Sequence, residues 1–322
     1  MKAADSIQVT VTRKQTEAQD ICTFELVGAQ GEPLPAFSAG SHIDVHLPGG
    51  PVRQYSLCND PAENHRYLVG VLKDPASRGG SHAMHETISE GVMLTISAPK
   101  NHFPLAANAP RSLLLAGGIG VTPILCMAER LAVIGADFTM HYCTRSPART
   151  AFRHRIAASS FAQRVTFHFD DGNPDQKLDI NALLRAASAD THLYVCGPKG
   201  FMEAVLDTAR ARGWPEERLH YEFFSAEPVK LETDGTFEVK LASSGKVVCV
   251  AKDQTVVEAL AAAGVEVQTS CEQGVCGTCL TRVISGEPDH RDMYLTPNEQ
   301  AANNVFLPCC SRSKSGQLVL DL

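Results

Sequence analysis

The sequence predicts a multi-domain chain made of an antiparallel β-barrel, an α/β unit on a parallel sheet, and a smaller α+β unit. Three observations predict it. Short alternating strands separated by Gly and Pro turns fill residues 1 to about 105. Strand, turn and helix then alternate from about 110 to 226. After residue 235 the strand pattern starts again and runs into a cluster of cysteines. A length of 322 residues suits two or three domains.

In the first part, Ile7–Val11, Cys22–Val27, Ser41–Leu47, Arg66–Leu72 and Gly91–Ile96 read as strands by their alternation. In the second, Ser112–Ala116 is a continuous apolar strand suited to burial on both faces. A Gly-rich turn and a helix from Pro123 to Val133 follow it. Strands at 138–143, 165–169 and 192–196 and a helix from Gly200 to Arg212 complete this part. Residues 227–234 read as a linker. Strands at 236–242 and 246–250 and a helix at 256–263 open the third part.

Bulk properties exclude several classes. Net charge is −7 with no basic tract, which argues against nucleic acid as a partner. No apolar run reaches the ~18 residues of a membrane span. Met1–Asp5 lack the apolar stretch of a secretion signal, so the expected location is cytoplasmic. Eleven cysteines, an odd number, disfavour a disulfide framework.

Four of those cysteines carry chemistry. Cys271-x4-Cys276-x2-Cys279, then 29 intervening residues, then Cys309, is the plant-type spacing for a [2Fe–2S] cluster. The irons need soft anionic sulfur, and Gly274 and Gly277 let the loop turn tightly round them. A structural zinc site fits less well, because zinc ribbons pair two C-x2-C units and only one occurs here. Cys310 adjoins Cys309 and is chemically able to replace it; the spacing favours Cys309.

Two further strings suit a flavin. In Arg53-Gln54-Tyr55-Ser56-Leu57, expected just after a strand, a cation can meet phosphate, a ring can lie on isoalloxazine, and a hydroxyl can face the flavin. By itself the string is weak, and an exposed Arg beside a packed Tyr is its plainer reading. Arg78-Gly79-Gly80-Ser81 offers a guanidinium, flexible amides and a hydroxyl at a helix start for a terminal phosphate; its plainer reading is a surface turn.

A nucleotide is suggested by Gly117-Gly118-Ile119-Gly120-Val121-Thr122-Pro123, which follows a strand and opens a helix. Its glycines permit backbone approach to pyrophosphate, although it is not the G-x-G-x-x-G dehydrogenase fingerprint. Cys196-Gly197-Pro198 ends another strand at the carboxyl edge, where a thiol can touch nicotinamide; alone, Cys196 reads as a core thiol. Arg145 and Asp170-Asp171 follow two strand ends. Acidic oxygens there suit ribose hydroxyls and repel a 2′-phosphate, which favours NADH; a polar turn is the equally plain alternative.

Taken together and in order, these strings resemble the ferredoxin-NADP reductase superfamily and, more narrowly, the phthalate dioxygenase reductase family. Asp289-His290-Arg291-Asp292-Met293, Ser311-Arg312 and the Leu318–Leu322 ending add to the match. The resemblance implies an NADH-dependent oxidoreductase with domains 1–106 for FMN, 107–226 for NADH and 235–322 as a β-grasp ferredoxin. It implies catalytic roles for Ser56 and Cys196. FMN contacts would be Arg53, Tyr55, Ser56, Arg78, Gly79, Gly80, Ser81, Thr122 and Phe224, with Phe223 competing for the last role. NADH contacts would be Gly117, Gly118, Gly120, Arg145, Asp170, Cys196, Gly197 and Pro198. The implied partner is a terminal Rieske-type oxygenase, a dioxygenase or demethylase/monooxygenase, acting on an aromatic acid or a similar small substrate. The alternatives are a reductase serving a non-Rieske acceptor and a non-enzymatic redox sensor.

Overall fold

The computed structural model describes residues 6–50, 52–75, 77, 79–224 and 231–322. Arg78 and residues 227–230 of the expected linker lie outside the described residues. The chain divides into two compact units, Met1–Glu222 and Phe223–Leu322.

The first unit begins with an antiparallel sheet. Its strands are β1 (Ser6–Ala18), β2 (Ile21–Gly28), β3 (Ser41–His46), β4 (Val52–Ser56) and β5 (Tyr67–Leu72). After helix α1 (Gly80–Glu86) come β6 (Met93–Ser97) and the short β7 (Lys100–Asn101). The spatial order is β4-β3-β6-β1-β2-β5, with β7 on β3. A bridge from Leu57 to Val69 and a bond from Cys58 N to Leu68 O (2.9 Å) join the two ends, so the sheet closes as a barrel. Alternation supplies the interior: Val9 and Val11 of β1, Phe24 and Leu26 of β2, and Ile43 and Val45 of β3 are all fully buried. β1 runs to Ala18, seven residues past its predicted end.

The same unit continues with β8 (Arg111–Gly117), α2 (Val121–Val133), β9 (Asp137–Thr144), α3 (Arg153–Ala157) and β10 (Val165–Phe169). Then come α4 (Ile180–Ala186), β11 (Thr191–Cys196), α5 (Lys199–Ala211) and β12 (Leu219–Glu222). These strands form a parallel sheet in the order β10-β9-β8-β11-β12. Sequence patterning located the first four strands; α4 and the four-residue β12 carried too little periodicity to be seen. Helix α2 begins at Val121, two residues before Pro123, because one 3₁₀ turn over Gly118–Gly120 leads into it. Pro123 still falls in the first helical turn, where no donor is missed. One core runs through the unit: Leu125 and Met127 of α2 join Leu114 and Met140 of the sheet and Ile21, Cys58 and Phe103 of the barrel part.

The second unit holds β13 (Phe237–Leu241), β14 (Val247–Val250), α6 (Val256–Ala262), β15 (Thr281–Ser285) and β16 (Pro288–Asp289). After them come α7 (Pro297–Ala302), β17 (Val305–Phe306), β18 (Arg312–Ser313) and β19 (Gln317–Leu320). The mixed sheet β14-β13-β19-β15-β17, with β13 parallel to β19 and α6 packed on its core, is a β-grasp. Both helices start with a capping box, Thr255 with Glu258 and Thr296 with Glu299. Burying a side chain such as Leu260 of α6 contributes about 1.5–3 kcal/mol.

Asp234, expected as the last linker residue, is anchored within this unit. Arg291 grips it with both terminal nitrogens, one at 2.9 Å, and also binds Asp289 at 2.8 and 2.6 Å. Arg312 approaches Asp234 at 3.9 Å and donates to Gln254 O, Gly235 O and Ala251 O. The Arg291 guanidinium holds the Asp234 carboxyl down at about 2. A depressed carboxylate pKa stabilises the fold above the unfolded value near 4, and that stability drains as pH falls from about 4 through 2. Replacing Asp234 by Asn is expected to cost the second unit about 3 kcal/mol, because Arg291 keeps a buried charge with one partner fewer. It should also flatten the acid limb of thermal unfolding followed at the cluster's visible band. An unchanged melting temperature would show that the pair contributes nothing.

Candidate functional site

The first group of site residues comes from β4. Arg53-Gln54-Tyr55-Ser56 was expected after a strand; it is the strand, paired to β3 with Val45 opposite Arg53, Ile43 opposite Tyr55 and His42 opposite Ser56. Strand alternation places Arg53 and Tyr55 on one face and Ser56 on the other. Arg53 lies across the start of α1, so close that a side-chain carbon on Gly80 would sit 2.5 Å from Arg53 Nε. Burial raises the Tyr55 phenol well above its ordinary value, with the Arg53 charge opposing. Gly79 has φ +92°, a left-handed conformation natural to glycine. The Ser81 hydroxyl accepts from Asp74 N (3.1 Å), and its own N–H donates to Ser77 Oγ (3.3 Å). Arg53, Gly79, Gly80 and Ser81 are thus gathered; Arg78 lies outside the described residues.

The second group lines the carboxyl edge of the parallel sheet. A side-chain carbon on Gly120 would fall 2.3 Å from Cys196 O and 2.6 Å from Gly197 N. A side-chain carbon on Gly197 would fall 2.9 Å from Gly117 Cα, and one on Gly117 would fall 2.9 Å from Pro198 Cδ. Gly118 completes the turn. Thr122 is buried; its hydroxyl donates to Ile119 O (3.1 Å) and its methyl meets Gly70 of β5.

Cys196 is fully buried and pairs across the sheet with Glu222. Burial drives its thiol well above the ordinary value, and the Glu222 charge adds to this. Glu222 itself is a residue that sequence reading missed. Its Oε2 accepts from Ser56 Oγ at 3.4 Å, and its Oε1 stands 3.9 Å from His42 Nδ1. Burial lifts the Glu222 carboxyl to about 8, the Ser56 hydrogen bond opposing. Burial and then the neighbouring His102 lower His42 to about 4. At neutral pH both are uncharged, which suits a site from which water is excluded. Neither ring nitrogen of His42 has a hydrogen-bond partner among the described residues. A carboxylate at the end of a four-residue strand gives no motif by which sequence alone could find it.

Arg145 and Asp170 lie at the ends of β9 and β10. Asp170 N donates to Thr144 O (3.0 Å) and Asp171 N to Arg145 O (3.1 Å), so both side chains leave one exposed strand-end corner. Phe223 is 7% exposed and Phe224 37%, so Phe224 is the ring free to meet a ligand.

The cysteine loop forms the third group. Cys271, Cys276, Cys279 and Cys309 are buried and stand as two pairs. Cys271 and Cys276 share a thiol hydrogen bond, as do Cys279 and Cys309. Within each pair the shared proton holds one sulfur, Cys276 or Cys309, well below its ordinary value. Backbone amides also serve the sulfurs: Gln273 N reaches Cys271 Sγ at 3.3 Å and Thr278 N reaches Cys276 Sγ at 3.5 Å. No three His, Cys, Asp or Glu side chains among the described residues converge on one point to hold a single metal ion. Two thiol pairs with amide donors fit a two-iron cluster instead, each pair serving one iron. The fold of the loop depends on Gly274 (φ +74°), where a side-chain carbon would sit 2.4 Å from Cys310 Sγ. Cys310 points its sulfur there and to Leu307 O (3.7 Å).

Comparison with known proteins agrees with this reading. The family model described as "2Fe-2S iron-sulfur cluster binding domain" matches residues 239–314, which contain the four cysteines. The chain is 58% identical to a vanillate O-demethylase oxidoreductase of Pseudomonas putida, over 98% of this chain and all of that one. The solved structure of a phthalate dioxygenase reductase, described as modular for electron transfer from pyridine nucleotides to [2Fe–2S], matches at TM-score 0.76 and 39% identity over 98% of both chains. An intact self-sufficient cytochrome P450 monooxygenase matches at TM-score 0.86 and 39% identity, over 98% of this chain and 41% of that one.

The chain is therefore an iron–sulfur oxidoreductase for electron transfer. It belongs to the phthalate dioxygenase reductase family, whose members are reductase components of oxygenase systems. No helix of the described residues is long and apolar enough to cross a membrane.

Cys309→Ser is expected to abolish the cluster's visible absorption, while Cys310→Ser leaves it in place. The reverse pattern would reassign the fourth ligand.

Proposed function

We propose that this chain takes a hydride from NADH, converts it to single electrons on FMN, and passes them through the [2Fe–2S] cluster to a terminal Rieske-type oxygenase. FMN supplies the step from two electrons to one, because the cluster accepts electrons singly. The domains that go with this reading are 1–106 for FMN, 107–226 for NADH and 235–322 for the cluster, with Asp234 of the expected 227–234 linker held by Arg291 of the cluster domain. The observation that carries it is the contact of Arg53 with Gly80: a guanidinium laid on a glycine turn, two residues from Tyr55 on the same strand face, offers donors to a monophosphate end. FMN ends in that group, whereas FAD would carry an adenylate past it.

On the NADH side the glycine edge of 117–120 and Cys196-Gly197-Pro198 leaves room for backbone approach to the pyrophosphate. Asp170 and Asp171 favour ribose hydroxyls over a 2′-phosphate. Ser56 and Cys196 flank the buried Glu222, so a hydroxyl, a thiol and a carboxylic acid border the place of transfer. The family resemblance assigns Phe224 to the flavin, and of the two neighbouring rings it is the exposed one. The cytoplasm, where NADH is made, is the location that belongs with this function.

Identity of 58% over the whole length of a vanillate O-demethylase oxidoreductase favours an oxygenase that demethylates an aromatic methoxy acid. The match within a cytochrome P450 monooxygenase favours a second reading, a haem oxygenase as acceptor.

Cofactor released by heat is expected to run as FMN on chromatography, and stoichiometric FAD would remove the monophosphate argument. Steady-state reduction of a dye should give a higher kcat/KM with NADH than with NADPH. A preference for NADPH would mean that Arg145 reads the phosphate and the acidic turn faces away. Mixing the reductase with a vanillate-type Rieske oxygenase should couple NADH oxidation to demethylation. Coupling to a P450 alone would favour the second reading.

A further inference from the structure

Lys14 stands on β1, within the barrel, and no part of the functional reading uses it. Its ammonium donates to three backbone carbonyls at the far end of α1: His85 O at 2.5 Å, Ile88 O at 2.7 Å and Met84 O at 3.4 Å. Its charge also lies 5.4 Å from the centre of the Phe24 ring. An ammonium has three N–H donors and here spends them on the carbonyls that a helix end leaves without partners. At its other end, α1 brings Gly80 under Arg53, and Ser81 is tied to the 74–77 turn. The helix has seven residues, so about two turns connect the two ends.

We propose that Lys14 is a positioning residue for the flavin phosphate: by fixing the end of α1, it holds Gly80 and Ser81 against Arg53 in the arrangement that receives the phosphate. The inference rests on the FMN reading above. Lys14 is not among the residues assigned to the flavin, the nucleotide or the cluster. Its effect passes through α1, while the groups assigned to the isoalloxazine ring, Tyr55 and Ser56, sit on β4 and are held by β3. Loss of Lys14 therefore weakens the grip on phosphate and spares the grip on the ring.

The test compares FMN with riboflavin, which lacks the phosphate, on the full chain stripped of flavin and retaining its cluster. Lys14→Met keeps the stem over Phe24 and removes the three donors. Fluorescence titration is expected to show FMN affinity falling about tenfold, as loss of charged hydrogen bonds implies, with riboflavin affinity unchanged. Lys14→Arg, which restores donors, should recover most of the FMN preference. If Lys14→Met weakens both flavins by the same factor, or neither, the proposal is overturned. A protein that misfolds would fall in the first class, and Lys14→Arg then decides: an FMN-to-riboflavin ratio equal to that of Lys14→Met overturns it too. If the unaltered protein binds riboflavin as tightly as FMN, the phosphate reading fails first and this inference goes with it.

Discussion

The contact on which the first unit depends is between two pieces of backbone. Gly120, at the head of α2, rests on the carbonyl of Cys196 so closely that no side chain fits between them. Gly117 and Gly197 touch in the same way one turn earlier. Any residue with a Cβ at these places would push α2 off the carboxyl edge of the sheet. The edge would then lose both its shape and its exposed amides. The glycines were legible as a nucleotide motif, and the structure adds that they are also the packing surface between two loops.

That packing has electrostatic consequences. With the edge closed, Cys196 is sealed from water while the Glu222 side chain stays 14% exposed, and burial holds each in its protonated form. His42, opposite Ser56 on the barrel, is kept neutral by the same cause. Acid, thiol, hydroxyl and imidazole thus stand near one another with no fixed charge among them. The cysteine loop works the other way. Backbone amides of Gln273 and Thr278 donate to the sulfurs of Cys271 and Cys276, and such donors favour the thiolate form that binds iron.

Much of this was readable in the sequence, for reasons that differ by element. The barrel and the parallel sheet show because alternation and apolar runs report burial directly, as in Ser41–Leu47 and Ser112–Ala116. The four cysteines show because cluster geometry fixes their spacing. β4 was harder: Arg53-Gln54-Tyr55-Ser56 has no apolar alternation, because one face carries a cation and a ring and the other a buried hydroxyl, so it read as following a strand rather than forming one. β12 and α4 were too short to show a period. Glu222, His42 and Lys14 act through neighbours far away in the chain, 166 residues in the case of Ser56 and Glu222. No local pattern can mark such residues; only the fold brings them together.

The central claim is that a single chain joins a two-electron carrier to a one-electron carrier. Anaerobic reductive titration of the purified holoprotein with dithionite tests it most directly, with flavin and cluster followed at separate visible wavelengths. The account predicts about three electron equivalents per chain, two for the flavin and one for the cluster. An endpoint at one or two equivalents, with one of the two chromophores absent or unchanged, would contradict it.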